Sequence, residues 1–124
     1  MKSLFFALFA TVTIGQSSSQ TLTKAIAAGD VSTISSYLDE TVEVCLLNID
    51  DFLAKEKAVD AIKSFYAKHS PKSFNIIHQG ESKGKGSQYF IGNLKTNGDS
   101  FRVFIALENA GGKELIQQIR FEIE

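Results

Sequence analysis

Pro71, the only proline in the chain, marks the point where the hydrophobic period changes from helical to alternating. A period near two over several consecutive segments commits a chain to a sheet. Phe74, Ile76 and His78 share one face of the first such segment, and Asn75, Ile77 and Gln79 share the other. A glycine-rich stretch, Gly80–Gly86, makes the next turn. Gln88, Phe90, Gly92 and Leu94 then oppose Tyr89, Ile91 and Asn93. Asn97-Gly98 is a strong hairpin signal. Beyond it Phe101, Val103, Ile105 and Leu107 alternate with Arg102, Phe104, Ala106 and Glu108. Gly111-Gly112 makes another turn, and a last strand sets Leu115, Ile119, Phe121 and Ile123 against Ile116, Gln118, Arg120 and Glu122. The reading is four consecutive antiparallel strands with one apolar face, which needs a cover.

The segment before Pro71 supplies that cover. Leu22, Ala25 and Ile26 recur at helical spacing, with Gly29 placed to end the helix and Asp30 to cap the next one. Val31, Ile34 and Leu38 form the face of this second helix. Val42–Asn48 reads as a strand, Asn48–Asp51 as a turn, and Phe52-Leu53 as the start of a short returning strand. Lys55–His69 is the strongest helix, with Ala58, Val59, Ile62, Phe65 and Tyr66 on one stripe. Helices segregated to one face of an antiparallel sheet define an α+β domain.

The first nineteen residues read as a cleaved signal peptide. Met1-Lys2 is a short positive start, Leu4–Ile14 an apolar run, and Gly15–Gln20 a small and polar boundary. Eleven apolar residues fall short of the about 20 that span a bilayer. Cleavage after Gly15 or after Ser19 both fit, and no cysteine stands at the boundary to carry a lipid. The expected destination is the periplasm or the medium, with no membrane anchor after cleavage. Residues 20–124 then form a single domain of 105 residues. Without Lys2 it holds twelve basic and fourteen acidic residues. That slight acidity, with no basic stripe, argues against a nucleic-acid partner. The single cysteine, Cys45, excludes an internal disulfide and is expected as a buried thiol.

Several segments carry a family likeness: Ala25-Ile26-Ala27-Ala28-Gly29-Asp30, Ala61-Ile62-Lys63-Ser64-Phe65-Tyr66, and Pro71-Lys72-Ser73-Phe74. His78-Gln79-Gly80-Glu81-Ser82, Tyr89-Phe90-Ile91-Gly92, Phe101-Arg102-Val103-Phe104 and Ile116-Gln117-Gln118-Ile119-Arg120 extend it over the mature chain. With the element order, these residues resemble a family of small exported bacterial proteins, a domain of unknown function with the nuclear transport factor 2-like (cystatin-like) fold. The resemblance implies a cone in which N-terminal helices and one long helix pack on a curved four-stranded antiparallel sheet. Folds of this class host isomerases, dehydratases and cyclases as well as binding and dimerisation modules, so fold alone does not choose a function.

The enzymes of that class place an acid or base inside the cone. His78, on the face of Phe74 and Ile76, is the candidate base, with Tyr66 and Tyr89 as hydrogen-bond donors to a ligand. No carboxylate is visibly paired with His78, and core or edge packing is the plainer account of all three residues. Asp50 and Asp51 are adjacent, which on an extended backbone sends them to opposite sides. His69 and His78 lack metal-ligand spacing, and Gly80–Gly86 joins strands instead of opening a helix, so neither a metal nor a phosphate cofactor is expected. Arg102, Phe104, Ile116, Gln118 and Arg120 fall on the outer sheet face and have the composition of an interface core. The first functional reading is therefore a non-catalytic exported module that binds a small apolar ligand or dimerises through that face. The alternative is a small-molecule isomerase- or dehydratase-like enzyme using a cone-lining His or Tyr.

Overall fold

The computed structural model describes residues 17–81 and 86–124. Residues 1–16, which hold most of the expected leader, and residues 82–85 of the glycine-rich turn lie outside the described residues.

Each of the three described helices forms for local reasons. Helix α1 (Ser18–Ala28) begins at a capping box: the Gln20 amide donates to Ser17 Oγ, and the Ser17 amide donates to Gln20 Oε1. It ends at Gly29, whose φ of 68° is the left-handed conformation a helix C-terminus favours. Asp30 caps helix α2 (Val31–Tyr37), accepting from the Thr33 amide at 3.1 Å and the Thr33 hydroxyl at 2.7 Å. These bonds, the hydroxyl's above all, hold the Asp30 carboxyl below the usual range. Helix α3 (Lys55–Lys68) buries Ala58, Ile62, Phe65 and Tyr66 at helical spacing, as its stripe requires.

The sheet is larger than four strands. Strands β1 (Leu38–Leu46) and β2 (Ile49–Ala54) make a hairpin ahead of α3. Strands β3 (Pro71–Glu81), β4 (Ser87–Thr96), β5 (Ser100–Ala110) and β6 (Lys113–Ile123) make the expected meander. The two units join because β1 runs parallel to β6, so among the described residues the sheet has six strands, is mixed, and has the order β2-β1-β6-β5-β4-β3. This corrects the four-stranded antiparallel expectation. The meander is encoded by local turns, whereas the β1–β6 pair joins segments 78 residues apart and leaves no local trace. The returning strand also starts earlier than expected. Leu47-Asn48 alone makes the turn, and Ile49–Asp51 belong to β2.

All three helices pack on the face that carries Phe101, Val103, Ile105 and Leu107, each at most 1% exposed. Phe65 is the hub of this core. Its ring meets Phe121 at 4.6 Å, Phe101 at 4.9 Å and Tyr66 at 5.5 Å between centroids, all edge to face. These aromatic rings fill the centre between sheet and helices, where the fold resemblance implies a ligand pocket. No described helix is long and apolar enough to cross a membrane.

Candidate functional site

Two β-bulges decide which residues face outward. Along β3, Ile76 pairs with Gly92 and the next pair is His78 with Ile91, so Ile77 is an extra residue. The bulge moves His78 off the face of Phe74 and Ile76 and onto the helix-free face, which overturns its expected place inside the cone. Along β6, Leu107 pairs with Ile116 and Ala106 with Gln118, leaving Gln117 over. Ile116 is therefore fully buried in the core, not on the outer face as its parity suggested. Gln117 Nε2 donates instead to Asp39 Oδ2 at 2.9 Å. The second bulge had a readable signal: Ile116 and Ile119 are both apolar but three apart, and no regular strand puts such a pair on one face.

The outer face carries the polar groups that remain. His78, Ile91, Phe104, Arg120, Cys45 and Asp50 lie in one register row across the sheet. In the adjoining row, Tyr89 stands between Gly80 and Ala106. A Cβ on Gly80 would lie 2.9 Å from the Tyr89 ring and hydroxyl, so the missing side chain is what lets the phenol lie across β3. There its hydroxyl meets His78 Nε2 at 2.9 Å. On the other side, the Tyr89 ring stacks on Phe104, at 5.9 Å and 26°. The structure thus unites His78 with Tyr89, but on the solvent side of the sheet.

Tyr66 is elsewhere. Its hydroxyl donates to the Ile26 carbonyl at 2.9 Å, which ties α3 to α1, and burial pushes the phenol well above its ordinary pKa. A phenol held this way is a structural donor. Cys45 is half-buried and not fully buried as expected, and desolvation with the Asp50 carboxylate raises its thiol pKa. A thiol kept protonated is a poor nucleophile. No group of three His, Cys, Asp or Glu among the described residues could hold a metal.

Charges and unpaired polar atoms complete the outer face. Arg102 bridges to Glu124 at 3.2 Å and Arg120 to Glu122 at 3.8 Å. Two side-chain atoms are buried without any hydrogen-bond partner among the described residues, Asn93 Oδ1 and Arg120 Nε. Both belong to this face, flanking the Ile91–Phe104 pair.

Sequence reasoning missed one cleft. A cleft of about 620 Å³ opens between the β1–β2 hairpin and α3, with Leu53 and Phe65 among its apolar walls and Lys57, Asp60 and Lys68 on its helical side. It depends on β2 being a strand of the sheet, which the turn assignment at Asn48–Asp51 concealed.

Against known proteins, the model of a domain of unknown function, DUF4783, matches residues 19–122. The chain belongs to this family. A DUF4783 family protein from Bacteroides uniformis is 27% identical, with a TM-score of 0.81 over 87% of this chain and 98% of that one. Its counterpart from Bacteroides ovatus is 29% identical, with a TM-score of 0.78 over 84% and 93%. A nuclear transport factor 2-like protein from Cytophaga hutchinsonii shares the fold at 14% identity, with a TM-score of 0.63 over 86% of this chain and 92% of that one. No curated protein matches the sequence. This DUF4783 domain thus has the nuclear transport factor 2-like α+β fold, built among the described residues on a six-stranded mixed sheet with three helices.

Proposed function

We propose that this DUF4783 domain is an exported self-association module, two copies of which pair through the outer faces of their sheets. The observation that carries the reading is the aromatic and aliphatic centre of Tyr89, Ile91 and Phe104, on a sheet face that none of the described helices covers. The face also suits a copy of itself. Ile91, Phe104 and Tyr89 form an aromatic and aliphatic centre, and the flanking charges carry both signs, Arg102 and Arg120 beside Glu122 and Glu43. A two-fold pairing can set arginine of one copy against glutamate of the other, and such isologous interfaces are the commonest in homo-oligomers.

Light scattering of the processed chain at high micromolar concentration should return twice the monomer mass. Phe104→Glu, which places a charge at the centre of the patch, is expected to weaken the pair by roughly a hundredfold, as for a central hot spot. The ring is half-exposed in the single chain, so the variant should remain folded by circular dichroism. A monomeric native chain at that concentration removes the reading.

Export rests on the order of charge, apolar run and small residues at the N-terminus. Of the two cleavage positions, the one after Gly15 keeps Ser17 and the capping box, and the one after Ser19 deletes the cap. Loss of an N-cap destabilises a helix by about 1 kcal/mol. Intact mass measurement of the exported protein is therefore expected to place its first residue at Gln16. A mature chain that retains Met1 would remove the export reading.

A further inference from the structure

We infer, on the self-association reading above, that His78 makes the pairing of the two outer faces sensitive to pH. With the imidazole neutral two copies associate, and its protonation parts them. The bulge at Ile77 is what delivers this imidazole to the outer face, in one register row with Ile91 and Phe104. His78 stands one strand spacing from Ile91 and two from Phe104, or about 10 Å from the latter. A specific interface takes about 800 Å² from each partner, which as a disc is about 16 Å in radius. One centred on Ile91 and Phe104 therefore covers His78, which is exposed in the single chain.

Among the described residues the side-chain partner of the imidazole is the Tyr89 phenol, Nε2 to hydroxyl at 2.9 Å. A phenol both gives and takes a hydrogen bond. Neutral His78, with its proton on Nδ1, accepts from the hydroxyl, and the imidazolium donates to it. The bond stands in either state, so charge decides between them. Along β3 and β4, Lys72 and Lys95 lie at the far end of the pair. Glu81 pairs with Gln88 and so shares the inner face with Phe90, and α1 with Lys24 packs on that inner side too. The outer-face carboxylates Glu108, Glu122, Glu124, Glu43 and Asp50 stand on β5 or further across the sheet. Among the described residues His78 has no ion pair. A second copy turned about a two-fold axis through Ile91 and Phe104 lays one of two strands over His78. One is its β6, where Arg120 and Glu122 already bridge each other, and the other is its own β3. An imidazolium closed in there loses water and gains no free counter-charge, so covering disfavours the charged form. Association takes the neutral ring, and acid, which charges the ring in the free chain, opposes association.

Sedimentation equilibrium of the processed chain at about pH 7.5 and about pH 5.5, on either side of the range in which histidine side chains charge, tests this. Far-ultraviolet circular dichroism at both values separates dissociation from unfolding. Each pair holds His78 twice, so the dissociation constant is expected to rise by roughly ten- to a hundredfold at the lower pH. His78→Gln keeps a hydrogen-bonding side chain that does not charge, and should pair with the same strength at both. The other histidine, His69, remains in that variant, its ring against Phe65 and Phe101 on the helix side of the sheet. Any pH effect of His69 would therefore persist. In proton resonance spectra of the native chain, the titration midpoint of the His78 ring should move to lower pH as chain concentration is raised. A native pair of equal strength at both pH values overturns the switch and leaves self-association standing. So does a native-like profile in His78→Gln, a midpoint that ignores concentration, or loss of the fold in place of dissociation. A chain that is monomeric at both pH values and high micromolar concentration removes the self-association reading, and the switch with it.

Discussion

Phe65→Ala is expected to lower the unfolding free energy by about 3–5 kcal/mol, the range for deleting a buried aromatic ring. Phe65 is 4% exposed and touches elements from both halves of the chain. Phe101 on β5 and Phe121 on β6 both present edges to it, and His69, just past α3, lies at 4.7 Å. Removing the ring leaves a void between a helix and two central strands, neither of which can close it without leaving its ladder. Domains of this size are stable by only about 5–15 kcal/mol. Denaturant titration should therefore show a large fall in midpoint, with little change in slope as long as unfolding stays two-state. A loss below about 1 kcal/mol would mean the site collapses freely, and would contradict the hub role given to this ring.

Gly92→Ala should be nearly as damaging, for the opposite reason. Glycine in a strand interior usually weakens it, so an ordinary site would gain from a side chain. Here an added Cβ would lie 2.4 Å from Phe74 Cζ and 2.6 Å from the Asn75 carbonyl oxygen. The Phe74 ring from the edge strand lies down over Gly92, and the carbonyl is backbone that cannot rotate away. Overpacking of this kind costs about 1–3 kcal/mol, and the backbone contact puts this site at or above the upper end. The double variant Phe74→Leu with Gly92→Ala separates the two contacts. It should recover part of the loss relative to the sum of the single changes, because the ring clash goes and the carbonyl clash stays. Full recovery would show that the carbonyl contact is unimportant. Thermal melts of the four proteins measure the cycle.

What could be read from the residues follows the range of the interactions. The helix ends were legible because caps are local: Gly29 and Asp30 stand where expected and act as expected. So were β4 and β5, since the alternation of Phe101 to Leu107 survives intact. Two things escaped. The parallel union of β1 with β6 depends on packing between distant segments, to which no single turn or cap testifies. The bulges at Ile77 and Gln117 shift parity by one, and a strand face is a matter of parity. His78 was thus read on the wrong side, although the residues and their neighbours along the strand were assigned to the right element. Tyr66 shows a different limit. Its helical stripe placed it in the core correctly, but the hydroxyl's partner, the Ile26 carbonyl, is 40 positions away and carries no side-chain signature.

The parallel pair has a further consequence for the birth of the molecule. Strand β6, the last of the described strands in chain order, lies inside the sheet between β1 and β5. A ribosome that has released everything up to Ala110 has produced two incomplete halves, each with an open edge and an uncovered greasy flank. Helix α1 packs on β3, but no strand pairing joins the two units until β6 emerges. Long-range strand pairing is also slow, because a large loop has to close first. This ordering withholds the finished sheet until β6 has been made.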